Sequence, residues 1–207
     1  MARRLLILGA GGHGRAVADL AHACGFTVAG FTEPGGRGRD VVGTDDDLPA
    51  LATRLSLDGA VIGVGNTALV RRTELFVRVR RLGLAVPPLL HPSAVVSPSA
   101  RIGDGTVVFP HAVVGAECVI GMNVVVYSGC VIEHDCRIED HAYLAPGVIL
   151  CGEVEVHERA FVGAGAIAVP GVVIGQGATV DAGVRMGRSL AAGMRLSLSR
   201  ADEGKSR

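Results

Sequence analysis

Val114-Gly115-Ala116-Glu117-Cys118-Val119, Ile120-Gly121-Met122-Asn123-Val124-Val125 and Ile132-Glu133-His134-Asp135-Cys136-Arg137 follow one template, with an aliphatic residue first and a small residue fifth. The template runs from Val96 to Ala191 without an inserted or missing position. Its first positions lack bulk only at Ala168, and its fifth positions are small at every hexad but the last, where Leu190 stands. Neither a helix nor a hairpin sheet demands a period of six, whereas a parallel β-helix does. Each hexad then forms one face of a triangular coil. Three hexads close a turn, and residues eighteen apart stack at about 4.8 Å, the spacing of paired strands.

Working outward, the repeat occupies the second half of a 207-residue chain, which leaves room for a separate N-terminal unit. The sequence divides into a Rossmann-like domain over residues 1–86, a β-helix over 90–195 and a polar tail over 200–207 expected to be disordered. Basic and acidic residues balance at 20 each, without a long basic block, so neither nucleic acid nor an anionic membrane is an indicated partner. A small-molecule substrate fits better. The chain has no Trp, only five Phe and two Tyr, as suits a narrow prism filled by Val, Ile and Ala. No apolar run approaches the eighteen residues of a membrane span, and a soluble cytoplasmic protein is expected. Cys118, Cys130 and Cys136 fall at fifth positions and read as small core residues, so neither a disulfide nor a metal site is expected. Outward residues such as Val107, Val113, Val119, Val125 and Val131 want a covering surface, which points to association of copies.

In the first ninety residues a strand over Arg4 to Leu8 meets Gly9-Ala10-Gly11-Gly12-His13-Gly14 and then a helical stretch through Val17 and Leu20. Glycines let the backbone turn tightly against a diphosphate, whose charge is favoured by free N–H groups at a helix start. A second strand, Thr27 to Phe31, ends at Glu33. A third, Ala60 to Val64, ends at Gly65-Asn66 before a helix carrying Arg71 and Arg72. Residues Gly83 to His91 read as a linker. Dehydrogenases use nearly the same glycine spacing, and Glu33 could hold a ribose in either case. Nucleotide-sugar binding, dinucleotide binding and a purely structural use remain open, although some eighty-five residues are few for a full dinucleotide domain.

His134 and Asp135 occupy third and fourth positions, outside the buried first and fifth. A neutral imidazole accepts a proton near pH 7, and an adjoining carboxylate fixes its tautomer. Adding eighteen to 134 gives Gly152, whose N–H could stabilise an oxyanion. Glu117, Asp135 and Glu153 form an eighteen-spaced column of carboxylates, and His141 stacks over Asn123 on the next face. Outward histidines on a prism are commonly solvated surface residues, the reading adopted for His111 and His157. Zinc held by histidines across a subunit interface is an alternative that the spacing of His134 and His141, on different faces, disfavours.

Together the glycine turn 9–14, Gly65-Asn66 with Arg71, His91-Pro92-Ser93-Ala94 and Val131-Ile132-Glu133-His134-Asp135-Cys136 resemble the bacterial sugar O- and N-acetyltransferases of the hexapeptide-repeat superfamily. Among these are bacillosamine-pathway, perosamine and sialic acid acetyltransferases. The resemblance implies a left-handed parallel β-helix in a homotrimer, with acetyl-CoA between neighbouring prisms and a nucleotide-linked sugar on the N-terminal domain. It implies His134 as base, Asp135 as its orienter, Gly152 at the thioester carbonyl and His141 beside acetyl-CoA. Gly11, Gly12, His13, Glu33, Gly65, Asn66 and Arg71 would contact the nucleotide sugar. The expected reaction is acetylation of the amino group of a nucleotide-linked amino sugar. O-acetylation of a sialic acid and a non-enzymatic nucleotide-binding scaffold are the alternatives. Three departures stand out. Tyr127 replaces an Asn of some relatives, Pro34 follows Glu33 where a second acid can occur, and Ala191-Ala192-Gly193-Met194-Arg195 replaces a Gly-x-Pro-Ala-Lys/Arg segment.

Overall fold

The computed structural model describes residues 3–198. The expected tail, 200–207, lies outside them. The run Arg4–Leu8 forms β1, whose last four residues are buried, as both faces of a covered parallel strand require. It continues through the glycine turn into α1 (Gly12–Ala23), which buries Val17, Ala18, Leu20 and Ala21. Gly14 is obligatory in this turn, because a Cβ there would clash with the Gly9 carbonyl oxygen. Beyond the cap residue Cys24, Gly25 in the left-handed conformation turns the chain out of the helix.

β2 (Thr27–Thr32), β3 (Val41–Gly43) and β4 (Gly59–Ile62) complete an all-parallel sheet in the order β3-β2-β1-β4. Two elements escaped the sequence reading: β3 itself and α2 (Leu48–Arg54). The strand expected over Ala60 to Val64 ends at Ile62. Beyond it the Val64 carbonyl accepts a hydrogen bond from the Arg72 side chain. α3 (Leu69–Arg81) buries Arg72, Leu75, Phe76 and Val79, a single stripe at helical spacing. The expected linker is partly absorbed at both ends. Ala85 bridges Gly59, and Leu89–Leu90 is already the first rung of the prism.

Two-residue strands then stack in parallel on three faces of seven, six and five strands. Face one begins with Leu89–Leu90, face two with Val95–Val96 and face three with Arg101–Ile102. Pairing follows the eighteen-residue rule, as in Val119 with Arg137 and Arg137 with Glu155. First and fifth positions from Val108 to Met186 form one buried core. Thr106, a polar fifth position, is satisfied there because its hydroxyl donates to the Gly121 carbonyl and accepts from the Val124 N–H. The rule fails in the last turn: Leu190 bridges Ile174 and Leu196 pairs with Val180, both sixteen apart. The bulky Leu190, too large for a fifth position, becomes the inward partner of Ile174.

From Gly105 to Gly183 every corner of the prism has a fourth-position residue with positive φ. Glycine meets this at Gly105, Gly129, Gly147, Gly165 and others, whereas Asn123, Asp135, His141 and Glu153 adopt φ of 54–64°. A non-glycine residue gives up about 1 kcal/mol in this conformation.

The N-terminal unit packs on face one. It covers Val107 and Val125, both fully buried, so two of the valines expected to need another copy are covered within the chain. Val95 and Val113 on face two remain exposed. Four of the seven aromatic rings stand on face one at this junction, where Phe109 stacks on Tyr127 at 4.4 Å beside Tyr143 and Phe161.

Candidate active site

His134 stands on the edge between faces two and three, carried by the tight corner that follows Val131–Ile132. Its Nδ1 lies 2.8 Å from Asp135 Oδ2, and both side chains are more than half exposed. The carboxylate accepts from Nδ1–H, which leaves the Nε2 lone pair free. The same hydrogen bond raises the pKa of His134 above its ordinary value, with further help from the charges of Asp135, Glu133 and Glu153. The imidazole packs close to Gly152. A Cβ built on that glycine would sit 2.6 Å from His134 Cε1 and 2.7 Å from Nε2. The Gly152 N–H donates to no protein acceptor among the described residues. An imidazole with a free lone pair and a backbone N–H without a protein acceptor therefore lie side by side, an arrangement suited to acyl transfer.

The second cluster belongs to the N-terminal unit. Gly11 faces open space at the start of α1, Gly12 lies beside the Arg15 guanidinium, and Glu33 Oε2 accepts from the Ala10 N–H at 3.3 Å, holding the turn against the end of β2. A groove of about 1100 Å³ runs from this turn past Arg15, Asp19, Glu33, Arg37 and Asp40. Arg15 and Arg37 were missed from the sequence. The signal for Arg15 is its place one helical turn after Gly11, where a cation can meet a phosphate bound at the helix start. His13 points down onto face one, with Nδ1 3.2 Å from the Tyr127 hydroxyl. Burial, aided by the Arg72 charge, lowers its pKa to about 3 and keeps it neutral. Gly65 sits against His13, and Asn66 is exposed beside it. Arg71 is engaged elsewhere, 2.6 Å from Asp45.

His141 is not brought to His134. It occupies the edge between faces three and one, buried, with Nδ1 2.9 Å from Asn123 Nδ2 and its ring against the Phe76 edge. Burial lowers its pKa. No group of three or more His, Cys, Asp or Glu side chains able to hold a metal occurs among the described residues. The Cys118 and Cys136 thiols lie inside the prism, donating to the carbonyls of Glu133 and Cys151.

Residues 4–75 match the PglD N-terminal domain model, and residues 117–152 match the bacterial transferase hexapeptide model of six repeats. Among solved structures, PerB from Caulobacter crescentus, in complex with CoA and GDP-perosamine, is 37% identical, with a TM-score of 0.86 over 91% of this chain and 90% of that one. The chain belongs to the hexapeptide-repeat sugar acetyltransferases. The acetyltransferase domain of PglB from Neisseria gonorrhoeae, in complex with acetyl coenzyme A, is 33% identical over 94% and 96% of the two chains, with a TM-score of 0.87. WeeI from Acinetobacter baumannii, 22% identical over 94% and 96% with a TM-score of 0.79, shares the fold. No curated protein matches the chain. The prism of this acetyltransferase is the left-handed parallel β-helix of its family, and no helix among its described residues is long and apolar enough to cross a membrane.

The acetyltransferase places its two clusters apart. The glycine turn rests on face one, whereas His134 stands on the edge opposite that face, across a filled core.

Proposed function

We propose that the protein transfers the acetyl group of acetyl-CoA to the amino group of a nucleotide-linked amino sugar, with His134 as general base. Residues 1–86 would hold the nucleotide sugar, through Gly11, Gly12, His13, Glu33, Gly65 and Asn66, and residues 90–195 would carry out the transfer. The observation that carries this reading is the His134 imidazole, oriented by Asp135 and lying on Gly152 with its unused N–H. The bound ligands of the Caulobacter and Neisseria relatives support the substrate pair.

In the proposed reaction Nε2 takes a proton from the amine as its nitrogen attacks the thioester carbonyl carbon. The carbonyl oxygen gains the charge and accepts the Gly152 N–H. As the tetrahedral centre collapses the C–S bond breaks, and the thiolate leaves with the proton from the imidazolium. No acyl-enzyme forms. Cys118 and Cys136 face the core, and Cys151 has no adjacent base.

Because the sugar and the base sit on opposite sides of one prism, the site is built from two copies. The glycine turn of one protomer faces His134 of its neighbour in a homotrimer, and acetyl-CoA lies in the cleft between them. The exposed apolar residues of face two are the surface available for this contact. Acetyl-CoA and nucleotide sugars place the reaction in the cytoplasm. His141 would act through the domain junction rather than by touching acetyl-CoA, and Arg71 by holding Asp45.

The test is thiol release from acetyl-CoA across UDP-, GDP-, dTDP- and CMP-linked sugars, followed by alkaline hydroxylamine treatment of the product. An amide resists this treatment, and that result is expected. An ester is cleaved, which would assign O-acetylation instead. Absence of turnover and of acetyl-CoA binding in calorimetry would leave a nucleotide-binding scaffold.

A further inference from the structure

Arg72 is the largest fully buried side chain, and no carboxylate pairs with it among the described residues. A guanidinium without a counter-ion is costly to bury, and the same helix stripe fills its other positions with Leu75, Phe76 and Val79. What Arg72 has instead is a directional set of hydrogen bonds. Nη1 donates to the carbonyls of Ile62 at 3.1 Å and Val64 at 3.0 Å, at the end of β4. Nη2 donates to Asn123 Oδ1 at 2.8 Å and to its backbone carbonyl at 3.3 Å. One planar fork thus joins the strand end of the N-terminal unit to a corner of the prism.

Both ends of this link continue toward function. Ile62 and Val64 flank Gly63, where a Cβ would lie 2.8 Å from both Gly14 Cα and the Gly9 oxygen, so the end of β4 touches the glycine turn. Gly65 and Asn66 follow directly. On the prism side, Asn123 Nδ2 donates to His141 Nδ1, which fixes His141 as the Nε2–H tautomer against Phe76, one turn of α3 beyond Arg72. A ring that presses on Gly105, at the next lower coil of the same edge, completes the seat, since a Cβ there would meet Phe76 at 2.7 Å.

We infer that the Arg72–Asn123 pair is a positioning device for catalysis, which sets the angle at which the nucleotide-binding unit presents its sugar to the base. The inference rests on the proposed reaction. Neither residue touches the reacting atoms. Their effect is on placement, where an error of about 1 Å can lower turnover about 10²-fold.

Removing Arg72 strands several buried carbonyls and risks the fold, so the informative change is Asn123→Gly. Gly105 and Gly177 occupy the same corner with φ of +72° and +64°, so glycine suits the backbone at this position. The change keeps the backbone carbonyl that Arg72 uses, and it deletes the Oδ1 contact and the bond to His141. Steady-state kinetics of the whole protein should show kcat for acetyl transfer lowered about tenfold or more, with KM for acetyl-CoA within about twofold of wild type and the trimer intact. A wild-type kcat, with or without a lower Tm, would reduce the pair to a structural contact and overturn the inference. A wild type that transfers no acetyl group to any nucleotide sugar would instead remove the proposed reaction, and the inference with it.

Discussion

His134→Ala should lower kcat by about 10²–10⁴ while leaving KM for both substrates within a few-fold, the pattern of a lost general base. The pH profile gives a second, independent reading of the same residue. The base must be neutral, so turnover is complete above its pKa and is lost as pH falls through it. The Asp135 hydrogen bond raises that pKa, which places the acid limb of wild type above the ordinary histidine value. Asp135→Asn removes the cause and should move the acid limb to lower pH while also lowering the plateau, because the imidazole loses its orienting partner. An alanine variant with unchanged turnover would dismiss His134 from the chemistry. An acid limb unmoved by Asp135→Asn would dismiss the pair.

Gly152→Ala should lower kcat by about 10²-fold with little change in Tm. The substitution is one methyl group on an edge where the backbone tolerates alanine, and its three nearest neighbours are atoms of the His134 ring. That ring is exposed and can rotate away, so the fold relaxes at small cost. The base, however, no longer lies beside the Gly152 N–H. The separation of the two readouts is the point of the experiment. A loss of stability equal to the loss of activity would mean that Gly152 serves the coil, and wild-type kcat would mean that contact between the ring and the glycine is incidental.

The prism was legible because its signal is positional. A period of six fixes which residues point inward, and adding eighteen to His134 finds Gly152 without any knowledge of packing. The same arithmetic carried its own exception in Leu190, whose bulk marks the turn that closes after sixteen residues. Parts of the N-terminal unit were harder. Val41–Gly43 is too short to show an alternation, although Thr44 and Asp47 spell a capping box ahead of α2 that could have located it. What the sequence does not encode locally is which face the N-terminal unit covers. That is why Val107 and Val125 read as surfaces awaiting another copy when they are buried within the chain. It is also why the seat of His141 under α3, beside Asn123 and Phe76, was not legible. The Arg72–Asn123 contact spans 51 residues of sequence and joins two units with unrelated periodicities, so no pattern in either one announces it.

The separation of the glycine turn from His134 within one chain leads to the measurement that bears most directly on the account. Two inactive variants, His134→Ala and one with the glycine turn blocked by Gly11→Val, are unfolded together and reassembled, and acetyl transfer is measured in the mixture. If each site takes its sugar from one protomer and its base from the next, random mixing in a closed trimer should restore about a quarter of the wild-type sites. If the mixed assemblies stay as inactive as the separate variants, the sugar and the base belong to the same chain and the two-copy site is wrong.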